Sequence, residues 1–359
     1  MEDRTEQNIR RSIAKLSKTA RTRNEPILAQ KKKDFQAKTW IQDSPAGRSY
    51  VILLPTQGCS WALSEHGGCT ICGYLEDTSK GAAIIHSTQM HFEQAISSIP
   101  LPPPETIKIF NSGSFFDEKE IPIWLQREIL TKIEETLGIE HLIVETRPEF
   151  VNNEVLTAIK QLMPTKSVTV ALGLETSNDM VRRDCINKGF TRIEIERAVK
   201  LISEYGLKAK AYILLKPPFL TEAEAISDCV SSALYAERIG VDEVSINPVN
   251  VQRNTLLEKL WKRKSYRPPW LWSLLWAIQE INNQTGEIEV LCEPVGGGTP
   301  RGVHNCRKCD KKILAKMRKR ATKDWHDLGP FDCTCLELWQ AIIEDESHSY
   351  ALKSLPTKP

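Results

Sequence analysis

Three cysteines lie close together in the chain, at Cys59, Cys69 and Cys72, directly after the apolar run at residues 50–55. Thiolates bind iron–sulfur clusters, and a four-iron cluster usually takes four of them. Three thiolates would therefore leave one iron open to a small-molecule ligand, for which we expect S-adenosylmethionine (SAM). The alternative is a structural zinc site completed by His66, because three cysteines and one histidine form a common zinc set.

A second group of cysteines lies near the end of the chain, where Cys306 and Cys309 are followed by Cys333 and Cys335. Two closely spaced pairs have the ligand count of a tetrahedral zinc site. The pattern predicts zinc here. It leaves open an auxiliary iron–sulfur cluster, the replacement of one thiolate by His304, and free thiols without metal.

The elements that must position these residues follow an alternating pattern from residue 49 onward. Short apolar, β-branched runs alternate with stretches of helical periodicity, which is typical of βαβ units and a parallel sheet. The predicted strands are residues 50–54, 106–110, 141–145, 167–174, 208–215 and 243–246. Thr221 and Glu224 predict the start of one helix, because their spacing is that of a capping box.

The pattern divides the chain into three parts. Residues 1–47 are predicted to form a helical, peripheral N-terminal arm, and residues 48–295 the α/β unit. Residues 296–359 would form a cysteine-rich, basic C-terminal extension.

Polar motifs follow five of the predicted strands. In parallel sheets, ligands bind at the carboxyl ends of the strands, where the loops converge. The cysteines at 59–72 follow the first strand, and further motifs begin at Asn111, Glu145, Gly173 and Asn247. We therefore expect these loops to form one ligand site.

Composition indicates an ordinary globular protein. The chain has 359 residues, of which 41% are hydrophobic and 26% charged, close to the averages for soluble domains. A run of 18 apolar residues is absent from the sequence, and the charged opening residues do not resemble a secretory signal. We expect a cytoplasmic protein, in which paired cysteines bind metal rather than form disulfides.

Two basic blocks stand out against a net charge of +2. Residues 301–323 contain ten Lys or Arg with the single acid Asp310, and residues 253–267 contain six with the single acid Glu258. Such blocks favour a polyanionic partner. The neighbouring aromatic residues would either stack on bases or lie buried in the core: Trp261, Tyr266, Trp270 and Trp272.

Taken together, the motifs resemble those of the radical SAM superfamily, in the branch related to elongator subunit 3. The most similar family in this branch is that of archaeosine biosynthesis. The resemblance is carried by Gln57-Gly-Cys, Cys69-Thr-Ile-Cys-Gly-Tyr, Asn111-Ser-Gly-Ser-Phe-Phe-Asp, Glu145-Thr-Arg-Pro and Gly173-Leu-Glu-Thr. It implies a partial TIM barrel of about six βα units with a small cysteine-rich C-terminal extension. The sequence departs from the superfamily at one point, because nine residues rather than three separate Cys59 from Cys69.

The resemblance also implies roles for individual residues. Cys59, Cys69 and Cys72 would bind a 4Fe-4S cluster, and SAM would bind its open iron. The implied SAM-binding residues are Asn111, Ser112, Gly113, Ser114, Phe115, Glu145, Arg147, Glu175 and Asn247. Among these, Glu175 would hold the ribose hydroxyls, and the loop from Ser112 would meet the methionyl amine.

The activity implied is that of a radical lyase in tRNA modification. It would cleave a C–N bond in the lysine adduct of 7-deazaguanine at tRNA position 15, yielding archaeosine. The implied partners are tRNA, the lysine-transferring archaeosine synthase and an electron donor. Two alternatives remain, namely a different radical modification of RNA and a zinc-binding, RNA-associated protein without catalysis. Methylthiolation is disfavoured, because residues 1–58 contain no cysteines for a second cluster.

Overall fold

A curled, eight-stranded sheet forms the centre of the computed structural model, which describes residues 4–22, 37–44, 47–74, 78, 84–318 and 331–348. The strands lie side by side in chain order. They are β1 (Lys38–Ser44), β2 (Gly47–Leu53), β3 (Thr106–Phe110), β4 (His141–Thr146), β5 (Ser167–Glu175), β6 (Lys208–Leu215), β7 (Glu243–Pro248) and β8 (Glu289–Leu291). β1 pairs with β2 antiparallel, and all later pairs are parallel. The predicted α/β partial barrel is confirmed.

α-Helices precede, connect and follow the strands, and several of them pack on the outer face of the sheet. They are α1 (Arg4–Thr22), α2 (Ser60–Leu63), α3 (Ile84–Ser97), α4 (Ile123–Glu135), α5 (Asn153–Leu162), α6 (Arg192–Glu204), α7 (Glu222–Arg238), α8 (Leu256–Lys262), α9 (Leu271–Gln284), α10 (Asp310–Arg318) and α11 (Cys335–His348). A π-helical turn, Val181–Ile186, precedes α6. Strand residues such as Ile107, Val144 and Leu172 are buried in the core between sheet and helices.

The concave face of the sheet is polar. Because side chains alternate along a strand, Lys108, Glu145, Lys210 and Glu243 point to the face opposite the apolar core. Lys210 and Glu243 form an ion pair of 3.2 Å there. The sheet therefore has an apolar outer layer that provides stability and a polar interior suited to a polar ligand.

The six predicted strands are all present. The Thr221 capping box is confirmed as well, since the Thr221 hydroxyl accepts from the Glu224 amide and the Glu224 carboxylate accepts from the Thr221 amide. The helical prediction for residues 1–47 is wrong at residues 38–44, which form β1 and pair with β2 as the edge of the sheet. In the basic C-terminal extension, α10 is described from Asp310 to Arg318.

The N-terminal helix is not a peripheral arm over residues 4–22. α1 packs against α8 and the π-helical turn, at the same edge of the sheet as the first cysteines. Ile13, Ser17 and Ala20 are buried on its inner face. A spanning helix is not found in the described part of the chain, where none combines the length and apolarity that crossing a membrane needs.

Candidate functional site

The cysteine loop, residues 59–74, crosses the carboxyl ends of the strands after leaving β2. Its centre is fixed by Thr70, whose amide donates to the carbonyl of Ile186 at 2.8 Å. The carbonyl of Thr70 accepts from the amide of Leu257 at 3.1 Å. The loop is therefore bound on one side to the π-helical turn and on the other to α8.

The long gap between the first two cysteines is an ordered part of the site. The Trp61 indole donates to the carbonyl of Asn187 at 2.7 Å, and the Asn187 amide donates to the carbonyls of His66 and Gly68 at 2.9 Å. The rings of Trp61 and His66 stack at 4.2 Å. The extra residues thus hold the loop against the segment that follows the π-helical turn.

α1 holds the other end of the cysteine loop. The Arg21 guanidinium donates to the carbonyl oxygens of Cys69 at 2.6 Å and of Cys72 at 3.1 Å. Gly67 and Gly68 both have φ +69°, and a Cβ on Gly67 would come within 3.0 Å of the α1 backbone. The close approach of loop and helix therefore requires glycine at this point.

Two further cations lie near the thiols. Arg147 is 5% exposed, and Lys188 is largely buried. Burial opposes the charge on Lys188, yet Glu175 and the Cys69 thiol raise its pKa overall. Burial likewise opposes the charge on Arg147, and Glu149 together with the thiols raises its pKa. Arg147 and Lys188 are thus paired with Glu149 and Glu175, and together with Arg21 they place three cations around the loop.

The surroundings of Cys59 and Cys72 oppose ionisation of their thiols in the metal-free protein. Burial raises the pKa of Cys59, and the charge of Arg147 only partly offsets it. Burial also raises the pKa of Cys72, to about 12. Metal binding at these thiols must therefore displace protons.

The loop that begins at Asn111 packs directly against the first cysteine. A Cβ on Gly113 would lie 2.6 Å from Cys59 Cα, so only glycine fits there. Beside it, the Ser112 hydroxyl is buried without a hydrogen-bond partner in the described structure. The Asn111 carboxamide is also buried with no well-aligned hydrogen bond, although it lies close to Glu120. The Ser112 hydroxyl is therefore a buried polar group, next in the chain to the glycine that packs on Cys59, that a ligand could satisfy.

Two residues of this motif connect neighbouring loops. Ser114 Oγ accepts from the Arg147 amide at 3.1 Å. The Phe115 side chain is fully buried, while its amide donates to the carbonyl of Glu145 at 2.9 Å. Ser114 and Phe115 thereby tie the loop after β3 to the end of β4.

Glu120 is a buried carboxylate that the sequence motifs did not reveal. It accepts hydrogen bonds from the Thr56 hydroxyl and from the Ser114 amide, the latter at 2.8 Å. Burial raises its pKa to about 7. Glu120 therefore joins the segment before Cys59 to the loop that packs on it, a role that no local pattern in the sequence indicates.

The acids at the ends of β4 and β5 lie near one another. Glu175, which adopts φ +64°, pairs with Lys188 at 2.5 Å. Burial raises the pKa of Glu145 to about 7, although a hydrogen bond with Tyr212 and the charge of Lys188 both act to lower it. Asn247 lies farther along the sheet on β7, where its Oδ1 accepts from Ser245 at 3.1 Å. The structure thus brings the predicted residues of β4 and β5 together and places Asn247 apart from them.

A cavity of about 350 Å³ opens beside the end of the cysteine loop. Its described lining residues are Gly73, Tyr74, Asn250, Val251, Gln252, Arg253, Gly296, Thr299 and Arg301. It therefore lies at the carboxyl end of β7, between the cysteine loop and the start of the C-terminal extension.

The four C-terminal cysteines converge on one point. Cys306 Sγ lies 3.9 Å from Cys309 Sγ and 3.5 Å from Cys333 Sγ, while Cys335 Sγ lies 3.7 Å from Cys309 and 3.5 Å from Cys333. Within the described ranges, these four form the group compact enough for a single metal ion, whereas Cys59, Cys69, Cys72 and His66 do not.

Hydrogen bonds support this group of thiols. The Trp272 indole donates to Cys335 Sγ at 3.3 Å, and the Asn305 amide donates to Cys309 Sγ at 3.4 Å. Partial burial opposes ionisation of Cys306, but the amides of the next residues lower its pKa to about 7. His304 Nδ1 lies 2.7 Å from the carbonyl of Gly302 and is not part of the group.

The aromatic residues around residues 253–267 are mostly buried rather than free to stack on bases. Tyr266, Trp270 and Trp272 are each 8% exposed or less. Trp261 is partly buried beneath the Arg301 guanidinium, which lies 4.8 Å from its ring centre. Of the two interpretations left open by the sequence, burial in the core is therefore correct for these residues.

A partial barrel with a three-cysteine loop after its first parallel strand defines a radical SAM protein. A relative from Methanosarcina acetivorans, described as archaeosine synthase subunit beta, is 37% identical over 308 residues, which are 84% of this chain and 87% of the relative. A relative of the same description from Thermococcus kodakarensis is 34% identical over 314 residues, or 85% and 95%. The chain belongs to the archaeosine synthase subunit beta family, and the resemblance seen in its motifs is confirmed.

Comparisons with protein-family models and with solved structures give weaker likenesses. No protein-family model matches the sequence. Elp3 from Methanocaldococcus infernus superposes with a TM-score of 0.46 and 16% identity, over 75% of this chain and 64% of that one.

Proposed function

We propose that this radical SAM enzyme is a carbon–nitrogen lyase of tRNA modification. Its substrate would be the lysine adduct of 7-deazaguanine at tRNA position 15, and its product archaeosine. The observation that carries the proposal is the cysteine loop itself, enclosed by cations and faced by the buried, unpartnered Ser112 hydroxyl, in a chain related to archaeosine synthase subunit beta.

The first loop fits an iron–sulfur cluster better than a zinc ion. Cys59, Cys69 and Cys72 do not gather with His66 around a single point in the described structure. A larger cluster holds its thiolates farther apart than one ion does. The nearby charges of Arg21 and Arg147 would offset the negative charge that thiolates and cluster bring.

The residues around Cys59 also fit SAM. Gly113 leaves the space that a side chain would fill, the buried Ser112 hydroxyl needs a partner, and the Asn111 carboxamide lies beside Glu120. In this proposal they meet the methionyl group of SAM, while Glu175 binds the ribose hydroxyls and Glu145 and Arg147 contact SAM or substrate. Asn247 would approach from β7.

A 4Fe-4S cluster held by Cys59, Cys69 and Cys72, with SAM on its open iron, would supply one-electron cleavage of SAM and, through it, removal of a hydrogen atom from the carbon beside the lysine nitrogen of the substrate. The protein must orient that carbon and exclude water and other hydrogen donors. The sheet supports this purpose, because outer-face side chains such as Ile107, Val144 and Leu172 are buried in the core, while Lys108, Glu145, Lys210 and Glu243 lie on the concave face.

For the C-terminal cysteines we propose zinc. Zinc–thiolate bonds of about 2.3 Å in a tetrahedron place the sulfurs about 3.8 Å apart. The four measured separations, 3.5 to 3.9 Å, agree with this value. An auxiliary cluster would require the four sulfurs to move apart.

The proposed partners are tRNA, the lysine-transferring archaeosine synthase and an electron donor. Exposed cations at Arg263, Lys264, Lys311 and Lys312 support a polyanionic partner on this side of the chain. The proposal places the protein in the cytoplasm, where tRNA is modified.

The decisive experiment uses the anaerobically reconstituted full chain, reduced in the presence of SAM and tRNA bearing the lysine adduct. We expect 5′-deoxyadenosine and archaeosine to form together, and Cys72→Ala to form neither. Formation of 5′-deoxyadenosine with an unchanged nucleoside would refute this substrate. Zinc without iron in the reconstituted protein would refute the catalytic proposal altogether.

A further inference from the structure

We propose that the cavity beside Gly73 and Tyr74 is the nucleotide site, where the RNA residue to be modified is bound out of its stack. The inference rests on the proposed function, because it assigns the substrate site of that reaction.

The position of the cavity suits a substrate site. Gly73 directly follows Cys72, so a ligand in the cavity lies next to the proposed cluster. Except for Asn247 on β7, the proposed SAM-binding residues lie at the ends of β3, β4 and β5, whereas the cavity walls follow β7 and β8. SAM and the ligand of this cavity would therefore approach the cysteine loop from different parts of the sheet.

The size and lining of the cavity fit one nucleotide. A volume of about 350 Å³ is at the small end of the range for ligand pockets. Unstacked RNA bases are typically bound on aromatic faces and read by hydrogen bonds to their edges. Tyr74, with 49% of its surface exposed, provides the aromatic face. Asn250 provides one amide donor and one carbonyl acceptor.

The amide groups in the cavity are held in place. The Gln252 carbonyl oxygen accepts from the Gly73 amide at 2.5 Å, and the Gln252 side chain also hydrogen-bonds the Tyr74 hydroxyl, so that it holds Tyr74 in place. The Asn250 carboxamide packs over Gly296, where a Cβ would come within 3.2 Å of it. Such fixed donors and acceptors recognise a base edge without first losing side-chain freedom.

The charge of the cavity matches a phosphate rather than an ammonium group. None of the described lining residues is acidic. The Arg301 guanidinium forms part of the cavity wall, because it pairs with Glu258 at 2.6 Å and donates to the carbonyl of Val251 at 2.9 Å. Arg253 is exposed at the rim, where its guanidinium can bind the phosphate of the flipped nucleotide.

The C-terminal extension supplies the far wall. The Val251 amide donates to the carbonyl of Arg301 at 2.7 Å, which makes the contact between the two segments reciprocal. Gly302 lies against Gly296 so closely that a Cβ would come within 2.2 Å of the Gly296 carbonyl oxygen. The proposed zinc site therefore stabilises one side of the nucleotide site through this segment.

The test is photocrosslinking of the full, reconstituted protein to a tRNA transcript that carries 6-thioguanosine at position 15. We expect the crosslinked peptides to contain Tyr74 or residues 250–253, and Asn250→Ala to reduce their yield. Crosslinks confined to α1 or α10 would overturn the assignment. This readout does not depend on turnover, so it separates the failure of the site from the failure of the lyase reaction.

Steady-state kinetics provide a second test of the nucleotide site. Arg253→Ala should raise the KM for tRNA about tenfold, the effect of losing roughly 1.4 kcal/mol of phosphate binding. The matched control is Arg127→Ala, an exposed arginine on α4 outside both sites. Equal KM values for the two variants would contradict the proposal. If the native chain shows no turnover, the lyase function fails, and the crosslink map still decides whether the cavity binds the nucleotide.

Discussion

The guanidinium of Arg21 lies 2.6 Å from the carbonyl oxygen of Cys69. This single contact joins an N-terminal helix to the centre of a loop almost fifty residues later in the chain. It makes α1 part of the candidate site, since the same guanidinium also reaches the carbonyl of Cys72. The helix therefore fixes the spacing of two of the three proposed cluster ligands.

Arg21→Ala should impair cluster binding. The substitution leaves two loop carbonyls without their charged donor, which costs about 1–3 kcal/mol. We expect fewer irons per chain after anaerobic reconstitution and faster loss of the cluster absorbance in chelator. Lys15→Ala is the control, because Lys15 is exposed on the same helix. Equal iron content in the two variants would show that α1 does not hold the loop.

Glu175→Gln should weaken SAM binding. The carboxylate pairs with the largely buried Lys188, and the proposal assigns it to the ribose hydroxyls. Loss of its charge removes an acceptor and leaves a cation unpaired, so we expect the Kd for SAM to rise about tenfold or more. Equilibrium binding to the reconstituted protein measures this, with the exposed Glu204→Gln as control. An unchanged Kd would remove Glu175 from the SAM site.

Cys333→Ala should abolish zinc binding without removing iron. Three remaining thiolates bind zinc less tightly, and the metal holds the start of α11 near α10. Elemental analysis should show about one zinc per chain in the native protein, and a marked loss in the variant together with a lower Tm. Cys292→Ala, a cysteine outside both groups, should retain the zinc. Loss of iron with zinc retained would reverse the assignment of the two metals.

Asp228→Asn should stabilise the protein near neutral pH. Burial raises the pKa of Asp228 to about 6, although a hydrogen bond from Thr176 and the charge of Arg182 both act to lower it. The folded state therefore keeps a proton that the unfolded state loses first, and the free energy of unfolding falls as pH rises from about 4 to about 6. Asparagine is neutral throughout and avoids this loss.

The difference in stability between native protein and Asp228→Asn should be at most about 3 kcal/mol above pH 7, and should shrink toward pH 4. Chemical denaturation across this pH range measures it. Glu204→Gln, at an exposed position, should show no such trend. A variant that is less stable at every pH would show that the Asp228 carboxylate is needed as an acceptor for Thr176.

Local patterns were sufficient for much of the fold. The strands at residues 106–110 and 208–215 and the helix capped by Thr221 depend on short-range periodicity and capping, which the sequence displays directly. β1 was missed because its reason to be extended is its partner, β2, rather than its own composition.

The site was predictable only where its chemistry is local. Both groups of cysteines can be recognised from their spacing in the sequence, and the structure brings the four C-terminal cysteines together. No such spacing pattern marks Glu120, Lys188 and Arg21, because the role of each depends on a contact that only the folded chain makes. Trp270 and Trp272 were ambiguous for the same reason, since burial depends on how α9 packs.

The anchors of the cysteine loop also fix an order of events during synthesis. Thr70 leaves the ribosome early, yet its backbone partners, Ile186 and Leu257, are made only after most of the barrel. Until then the three thiols lack the framework that sets their spacing. Under the proposed function, stable metal capture at this loop would await synthesis of the chain as far as Leu257, and iron and sulfide would then be delivered to the folded barrel rather than to the nascent loop.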